Sequence, residues 1–468
     1  MTSNSGAGIG IFIFRRDFRI QDNIGLHEMS KICSSIIPIF IFTPEQITDK
    51  NKFRSKNAIQ FMIEALDDLA GNLSIHKSNL YCFMGENVTV IESVVKHVGA
   101  THIGFNRDYT PYAFKRDREI VELCKKIDIK CHLFDDYYLF PPGTLSKTGF
   151  QEIDYLSPVS YDLYYRKFTP FYDKAIKDIK NMRKSVSFVA FNKLSKMSNV
   201  KGITTVQLPD VYIRFAALNP NVSQHGGRRY ALDALADARN TQRQYSETRN
   251  MLTKSTTRMS AYIKFGCVSI GEVFNSFKNN SELIRQLIWR EFYAHILFVF
   301  PEVLDATQYT WSNEPKKDAI FKAWKGGQTG VPVVDACMRE LNETGYMHNR
   351  GRLIVASYLT KTMDVDWRMG ERYFAQQLVD YDVASNNGNW RWVASAAELK
   401  THEGATVHLD TQPPFRTFSP WIQSKKFDPD AEYIKKWVPE LRVAEPKDIH
   451  KWNISWKKYE HLRYPNNK

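Results

Sequence analysis

Gly10-Ile-Phe-Ile-Phe14 and Ile36-Ile-Pro-Ile-Phe-Ile-Phe42 are short, almost unbroken apolar runs, the pattern of strands buried on both faces. Three more follow: Leu80-Tyr-Cys-Phe83, Ile103-Gly-Phe105 and His132-Leu-Phe134. Between them, residues 55–72, 87–98 and 113–127 repeat apolar side chains at helical spacing. Strand and helix in alternation predict an α/β domain over residues 1–136, with a parallel five-stranded sheet covered by helices on both faces. Gly6, Gly8 and Gly10 precede the first strand. A dinucleotide fingerprint must instead follow a strand and open a helix, so these glycines read as a flexible start.

Working outward, residues 137–225 lose this period. Pro141, Pro142, Pro158 and Pro170 fall among aromatic and lysine-rich stretches such as 174–184, the composition of a long connector. After His225-Gly-Gly227 the pattern is helical without a convincing strand, as in 230–239, 283–298 and 351–362, and predicts an all-α domain over 226–468. With 43% hydrophobic and 25% charged residues, 468 residues can bury more than one core. A net charge of +13 favours a polyanionic partner such as nucleic acid. Six scattered cysteines without a C-x-x-C pair argue against zinc, iron-sulfur and disulfide frameworks, so no metal site is expected. No apolar run approaches the length of a membrane span, and the first ten residues lack a signal-peptide pattern. An intracellular protein without a membrane partner, in cytoplasm or nucleus, is the expectation.

All ten tryptophans lie at or beyond Trp289. Core packing accounts for most tryptophans in most proteins, but the segment from Leu378 to Trp392 sets two carboxylates, two adjacent amides and two indoles together: Leu-Val-Asp-Tyr-Asp-Val-Ala-Ser-Asn-Asn-Gly-Asn-Trp-Arg-Trp. Around it stand Ser255-Thr-Thr-Arg-Met-Ser260, Phe265-Gly266, Leu287-Ile-Trp-Arg-Glu-Phe-Tyr293, the stretch from Trp324 to Leu341, Gly345-Tyr-Met-His-Asn-Arg350, Asp366-Trp-Arg368, Phe415-Arg416 and Lys426-Phe-Asp428. In this order the second half resembles the photolyase/cryptochrome family, and within it the cyclobutane pyrimidine dimer photolyases. The first half resembles it more loosely, through Phe14-Arg-Arg-Asp-Phe-Arg19 with Asp22-Asn23, and through Asn106-Arg-Asp-Tyr-Thr-Pro-Tyr112 before Arg116-Asp117.

The resemblance implies FAD in the helical domain, an antenna chromophore of unidentified kind in the α/β domain, and ultraviolet-damaged DNA with a flipped-out pyrimidine dimer as partner of a monomeric enzyme. Tyr245, Thr256, Thr257, Arg258, Met259 and Ser260 match cofactor-contacting positions. Hydroxyls and a cation at a helix start suit a pyrophosphate, although an ordinary capped amphipathic helix would read the same. Asp380 and Asp382 match the paired aspartates of the family, Arg352 the arginine that pairs with the first, and Asn386 the amide that faces flavin N5. Trp390, Trp367 and Trp311 match a relay that brings electrons to the photoexcited flavin, with Asn386 completing the catalytic set. Trp289 and Trp392 match the indoles that cradle the dimer, while Arg249, Gln286, Arg290, Asn349, Arg350, Leu353 and Gln423 match pocket or DNA-contacting positions. Gln286 replaces a glutamate usual in bacterial relatives, Leu353 replaces a frequent methionine, and Val393 to Pro414 is longer than the usual segment.

Three other readings stay in view. A cryptochrome-type light receptor on the same fold would more often carry aspartate or cysteine at Asn386 and a long tail beyond Lys468. A (6-4) photoproduct photolyase would carry histidines where Asn349 and Leu353 stand. A DNA-binding protein without catalysis would need the basic residues but not the tryptophan series.

Overall fold

The computed structural model describes residues 8–150, 160–187, 190–198, 200–305 and 315–465. Five parallel strands, β1 (Ile9–Phe14), β2 (Ser35–Phe42), β3 (Tyr81–Met84), β4 (His102–Asn106) and β5 (Lys130–Phe134), form one sheet in the order β3-β2-β1-β4-β5. The three helices expected between strands are Lys56–Ile75, Asn87–Val98 and Pro111–Lys126, and a fourth, Ile24–Ile32, joins β1 to β2. Asn23 caps that fourth helix by accepting from Leu26 N at 3.1 Å.

Gly10 is not part of a flexible start. It lies inside β1, and a Cβ there would come within 2.6 Å of Cys33 Sγ and 2.9 Å of Met29 Cε, so its missing side chain lets the Ile24–Ile32 helix pack onto the strand. Pro38 lies within β2, an interior strand, where a proline would normally break a ladder. Ile36 O, which points to the same edge, accepts from Ser195 N at 2.8 Å, and β3 begins pairing only at Ile39. The missing N–H therefore falls where the neighbouring strand has not started.

The chain forms two compact units that interleave in sequence: 1–218 with 224–239 and 259–301, and 219–223 with 240–258 and 302–468. The boundaries expected at 136/137 and 225/226 both fall inside the first unit. The reason is a buried polar cluster at the carboxyl ends of the strands. Arg19 pairs with Asp136 at 2.5 Å and donates to Gly266 O at 3.2 Å. Arg183, from the connector, donates to Asp22 at 2.9 Å and Asp136 at 2.8 Å, and the Ser269 hydroxyl bonds Asp22. Asn106 donates to Asp17 at 2.6 Å and to Asn23 at 2.9 Å. The Phe14–Arg19, Asp22-Asn23 and Asn106 motifs thus meet in one network. Burial opposes ionisation of Asp136, yet Arg19 and Arg183 hold it below the usual carboxylate range. Burial lifts Asp17 to about 6.

In the second unit, helices Pro315–Gly326, Pro332–Thr344, Asn349–Ser357, Trp367–Gln377, Val383–Ala394, Pro420–Phe427 and Glu432–Trp437 surround a core that includes the fully buried Trp324 and Trp452. The expectation of no strands fails at one place, a two-stranded antiparallel hairpin of Glu398–Lys400 with Thr406–His408. It lies within the long 393–414 segment, and Leu399, Val407 and Leu409 are buried while their neighbours face out, a period too short to register beside long helices.

Replacing Arg183 with methionine would leave the Asp22 carboxylate buried without its guanidinium partner. The expected cost is about 3–5 kcal/mol, read as a lower urea midpoint; a midpoint equal to wild type would remove this cluster as the organiser of the unit.

Candidate active site

Helices Trp367–Gln377 and Val383–Ala394 carry the densest set of expected site residues. Each is started by an aspartate: Asp366 accepts from Arg368 N at 2.9 Å and Asp382 from Ser385 N at 3.0 Å. The Trp390 ring is 3% exposed and lies 5.0 Å from Phe374 and 6.2 Å from Trp324, edge to face. It fits because residue 370 is glycine: a Cβ there would sit 2.2 Å from Trp390 Cη2. Trp367 is buried beneath the Arg391 guanidinium, 5.8 Å from its ring. Trp311 lies outside the described residues.

Asn386 is buried and donates from Nδ2 to the Glu371 carbonyl at 3.0 Å. Its neighbour Asn387 donates to Glu371 Oε1 at 3.0 Å and to Val303 O at 3.2 Å. Glu371 therefore holds both amides, and burial raises its carboxyl to about 7 against the opposing pull of Asn387 and nearby arginines. Glu371 and Gly370 escaped the sequence reading, and Asn387 entered it only as the amide adjacent to Asn386. A glycine in a helix interior, destabilising by roughly 0.5–1 kcal/mol relative to alanine, was the one available signal.

Arg352 donates from Nη2 to both Asp380 oxygens, at 3.1 and 2.9 Å, and from Nε to Met347 O at 2.9 Å, so the expected pair forms. Thr256 reaches the Tyr346 hydroxyl at 3.4 Å, and the Arg258 guanidinium lies 4.3 Å over the Tyr346 ring. Beside this turn is a cavity of about 290 Å³ lined by Lys254, Ser255, Arg258, Tyr346, His348 and Lys436, among others. His348 is 3% exposed, and its Nδ1 accepts from Arg350 N at 3.0 Å, while Nε2 has no partner. Burial, then the surrounding arginines, lower its pKa to about 4, so the neutral ring carries its proton on Nε2. The lining sets an imidazole N–H, a guanidinium and two ammonium groups beside the carboxyls of Glu340 and Glu432, and its donors suit a nucleotide pyrophosphate. The expected helix does start at Ser260, but Ser260–Lys264 is only five residues long and Met259 caps it without a side-chain bond. Tyr245 is buried, with Arg249 6.0 Å over its ring.

A second, open cleft of about 470 Å³ is lined by Asn250, Arg350, Arg416, Phe418, Gln423 and Lys426, among others. Arg350 is held by Asn250 Oδ1 at 2.5 Å and Gln423 Oε1 at 3.2 Å and lies 4.5 Å over Phe427. Burial, then Arg249 and Arg416, lower its proton affinity, the signature of cations gathered where an anion would relieve them. Asn349 is exposed, Trp392 half-buried, and Leu353 packs against the unit's core. Phe415, next to Arg416, is 87% exposed. In the long segment His402, Glu403 and His408 face outward, and His402 N donates to the buried Glu302 at 2.8 Å.

The remaining expected residues belong to the first unit. On helix Ser281–Val299, Gln286 donates to Glu282 O at 3.3 Å, and Trp289 stacks on Phe168. Arg290 is not held out for DNA: it pairs with the buried Glu291 at 3.1 Å and lies 4.1 Å over the Tyr138 ring. Glu291 in turn accepts from Phe140 N at 3.0 Å, and burial lifts it to about 7. All six cysteines are free, and among the described residues no group of three or more His, Cys, Asp or Glu could hold a metal ion.

Residues 283–467 match the model of the FAD binding domain of DNA photolyase, and residues 11–186 that of DNA photolyase. The chain is 30% identical to the deoxyribodipyrimidine photo-lyase of a Synechococcus strain, over 94% of this chain and 89% of that one. It is 29% identical to the Escherichia coli enzyme of the same name, over 97% and 93%. Among solved structures it resembles an archaeal photolyase from Sulfolobus tokodaii that holds two FAD molecules, with a TM-score of 0.80 at 33% identity, covering 98% of this chain and 95% of that one. It also resembles a cryptochrome from Synechocystis, with a TM-score of 0.83 at 26% identity over 98% and 96%.

Glu371 titrates higher in the folded protein than in an unfolded chain, so its contribution to stability is full below about 4.5 and is lost as pH rises through about 7. Glu371→Gln keeps the oxygen that accepts from Asn387 but cannot ionise. The stability difference between wild type and this variant should shift in the variant's favour between pH 4.5 and 7; melting temperatures that run parallel across that window would show that the carboxyl is not held neutral.

Proposed function

This chain belongs to the DNA photolyase family, and on that premise we propose that it repairs pyrimidine dimers in ultraviolet-damaged DNA under blue light, with FAD as cofactor and the cyclobutane dimer as lesion. The observation that carries the reading is the arginine cleft, with Arg350 fixed by Asn250 and Gln423 and crowded by Arg249 and Arg416, in the unit that also holds the Arg352–Asp380 pair and the Asn386 amide.

The chemistry FAD supplies when bound is light-driven transfer of one electron, returned at the end so that no net oxidation or reduction results. The donors Arg258, Lys254, Lys436 and the His348 Nε2–H would hold the pyrophosphate, and Asp380, paired with Arg352, would accept from the cofactor's polar N–H and O–H groups. Asn386 spends its Nδ2 on the Glu371 carbonyl, which leaves Oδ1 as the atom that can accept a hydrogen bond from the isoalloxazine edge. Trp390 and Trp367 would carry electrons inward, with Trp311 as the third member. Trp289 and Gln286 of the first unit would serve as lesion contacts; of the second unit, Trp392 would do the same, and Arg350, Arg249 and Arg416 would clamp flanking phosphates.

We further propose that the enzyme acts as a monomer inside the cell, wherever DNA is, and carries an antenna chromophore. No helix among the described residues is long and apolar enough to cross a membrane. The cyclobutane dimer is favoured over the (6-4) photoproduct because reversing the latter needs a proton donor near neutral pH. Asn349 and Leu353 cannot serve, and His348, with its Nδ1 tied to Arg350 N and a pKa of about 4, stays neutral.

Blue-light repair assays on defined lesions, beside dark controls, should show turnover of a thymine cyclobutane dimer and little of a (6-4) lesion; equal or faster (6-4) repair would overturn the assignment. Arg350→Ala should weaken DNA binding and lower the slope of log K against log salt by roughly 0.9 for duplex DNA. An unchanged slope in a binding titration would mean that Arg350 does not contact a phosphate.

A further inference from the structure

The tightest aromatic contact described joins Trp289, read above as a lesion contact, to Phe168, which has been given no role in binding or chemistry. The ring centroids of Phe168 and Trp289 are 3.5 Å apart and their planes differ by 3°. Aromatic pairs usually sit offset or edge to face with centroids roughly 4.5–7 Å apart, so here the phenyl lies flat against one face of the indole. Phe168 opens helix Phe168–Lys177 in the connector and is 2% exposed. It is itself wedged in place: Phe292 meets it edge on at 5.7 Å, Tyr172 lies 5.7 Å away, and the Arg285 guanidinium lies 5.0 Å from its ring and 4.7 Å from that of Tyr172. Trp289 is also flanked by Phe292 at 5.7 Å and Tyr293 at 5.5 Å, yet it stays half-buried.

We infer that Phe168 is a positioning residue for lesion binding: by occupying one face of Trp289 and fixing the plane of the indole, it leaves a single face, in a single orientation, for a planar pyrimidine. The inference rests on the reading of Trp289 as a lesion contact. An unsupported indole can turn about two side-chain torsions, and ordering it on binding costs affinity; a ring already clamped has met that cost on folding. The connector, which sequence alone presents as a spacer, thereby sets the shape of a substrate contact. The effect belongs to recognition of the lesion and not to phosphate contacts, so it should be absent with undamaged DNA.

The test uses the full-length protein, one duplex carrying a single thymine cyclobutane dimer and its undamaged counterpart. Phe168→Leu keeps an apolar side chain of similar bulk but removes the flat surface, and Phe168→Tyr keeps it. The leucine variant should raise Kd for the dimer duplex roughly 2- to 10-fold, the range measured for aromatic pairs, with KM carrying more of the loss than kcat. Kd for undamaged DNA should stay as in wild type, and the tyrosine variant should restore lesion affinity. In a Trp289→Ala background, Phe168→Leu should have no further effect. Circular dichroism melting separates misfolding from mispositioning, and if the leucine variant does not fold, Phe168→Met takes its place in the same comparison. If Trp289→Ala weakens lesion binding but a folded Phe168 variant does not, or if it weakens both duplexes equally, the inference is overturned and the reading of Trp289 stands. If Trp289→Ala leaves lesion affinity unchanged, the reading of Trp289 fails and this inference with it.

Discussion

Two arginines and two aspartates buried together at the carboxyl ends of the strands set the terms for the first unit. Arg19, Asp22, Asp136 and Arg183 are each at most 8% exposed, and charges that deep persist only when paired and hydrogen-bonded. Satisfying them recruits backbone and side chains from far along the chain, including Gly266 O and the Ser269 hydroxyl. Ser269 at the same time caps the helix Ile270–Phe277, with Glu272 closing the box and pairing with Arg228. The residues that follow, up to the helix bearing Trp289, are thereby committed to the sheet's unit although their own pattern is purely helical. Removing Arg183 would strand Asp22, and removing Asp136 would strand Arg19, which is why the set acts as one constraint.

The second unit solves a related problem with amides. Glu371 sits in a core otherwise built around Trp324, Phe374 and Trp390, and a carboxylate there would be expensive unless compensated. Burial pushes it toward the neutral form, and Asn387 and the carbonyl bond from Asn386 use its polar atoms. The result is that an amide beside the expected cofactor ring has a fixed orientation. Two helices started by Asp366 and Asp382 and interlocked through Gly370 and Trp390 supply the rigid frame such a site needs.

Much of this was legible in advance. The five strands and their helices were readable because alternation of apolar runs with helical spacing is a local property. The Arg352–Asp380 pair was readable through the family resemblance, which matches Arg352 to the arginine that pairs with the first aspartate. Other features were not. Arg290 looks like any DNA-facing arginine until Glu291 and Tyr138 claim it. Beside the turn that carries Thr256 and Arg258, His348 Nε2 is a donor only because Arg350 N occupies the other ring nitrogen. Tautomers and partners of this kind are properties of packing.

The sequence by itself determined the layered α/β sheet, the helical second half, the basic character and the run of motifs that resembles a light-driven DNA repair enzyme, since each is written in short windows whose period or composition is complete where it stands. Only the tertiary structure decided that residues 259–301 pack with the sheet's unit, that Glu371 holds both asparagines, and that Phe168 covers one face of Trp289. The physical reason is the same in each case. A buried charge or an aromatic face must be matched by whatever the folded chain brings next to it, and that partner can come from any distance along the chain.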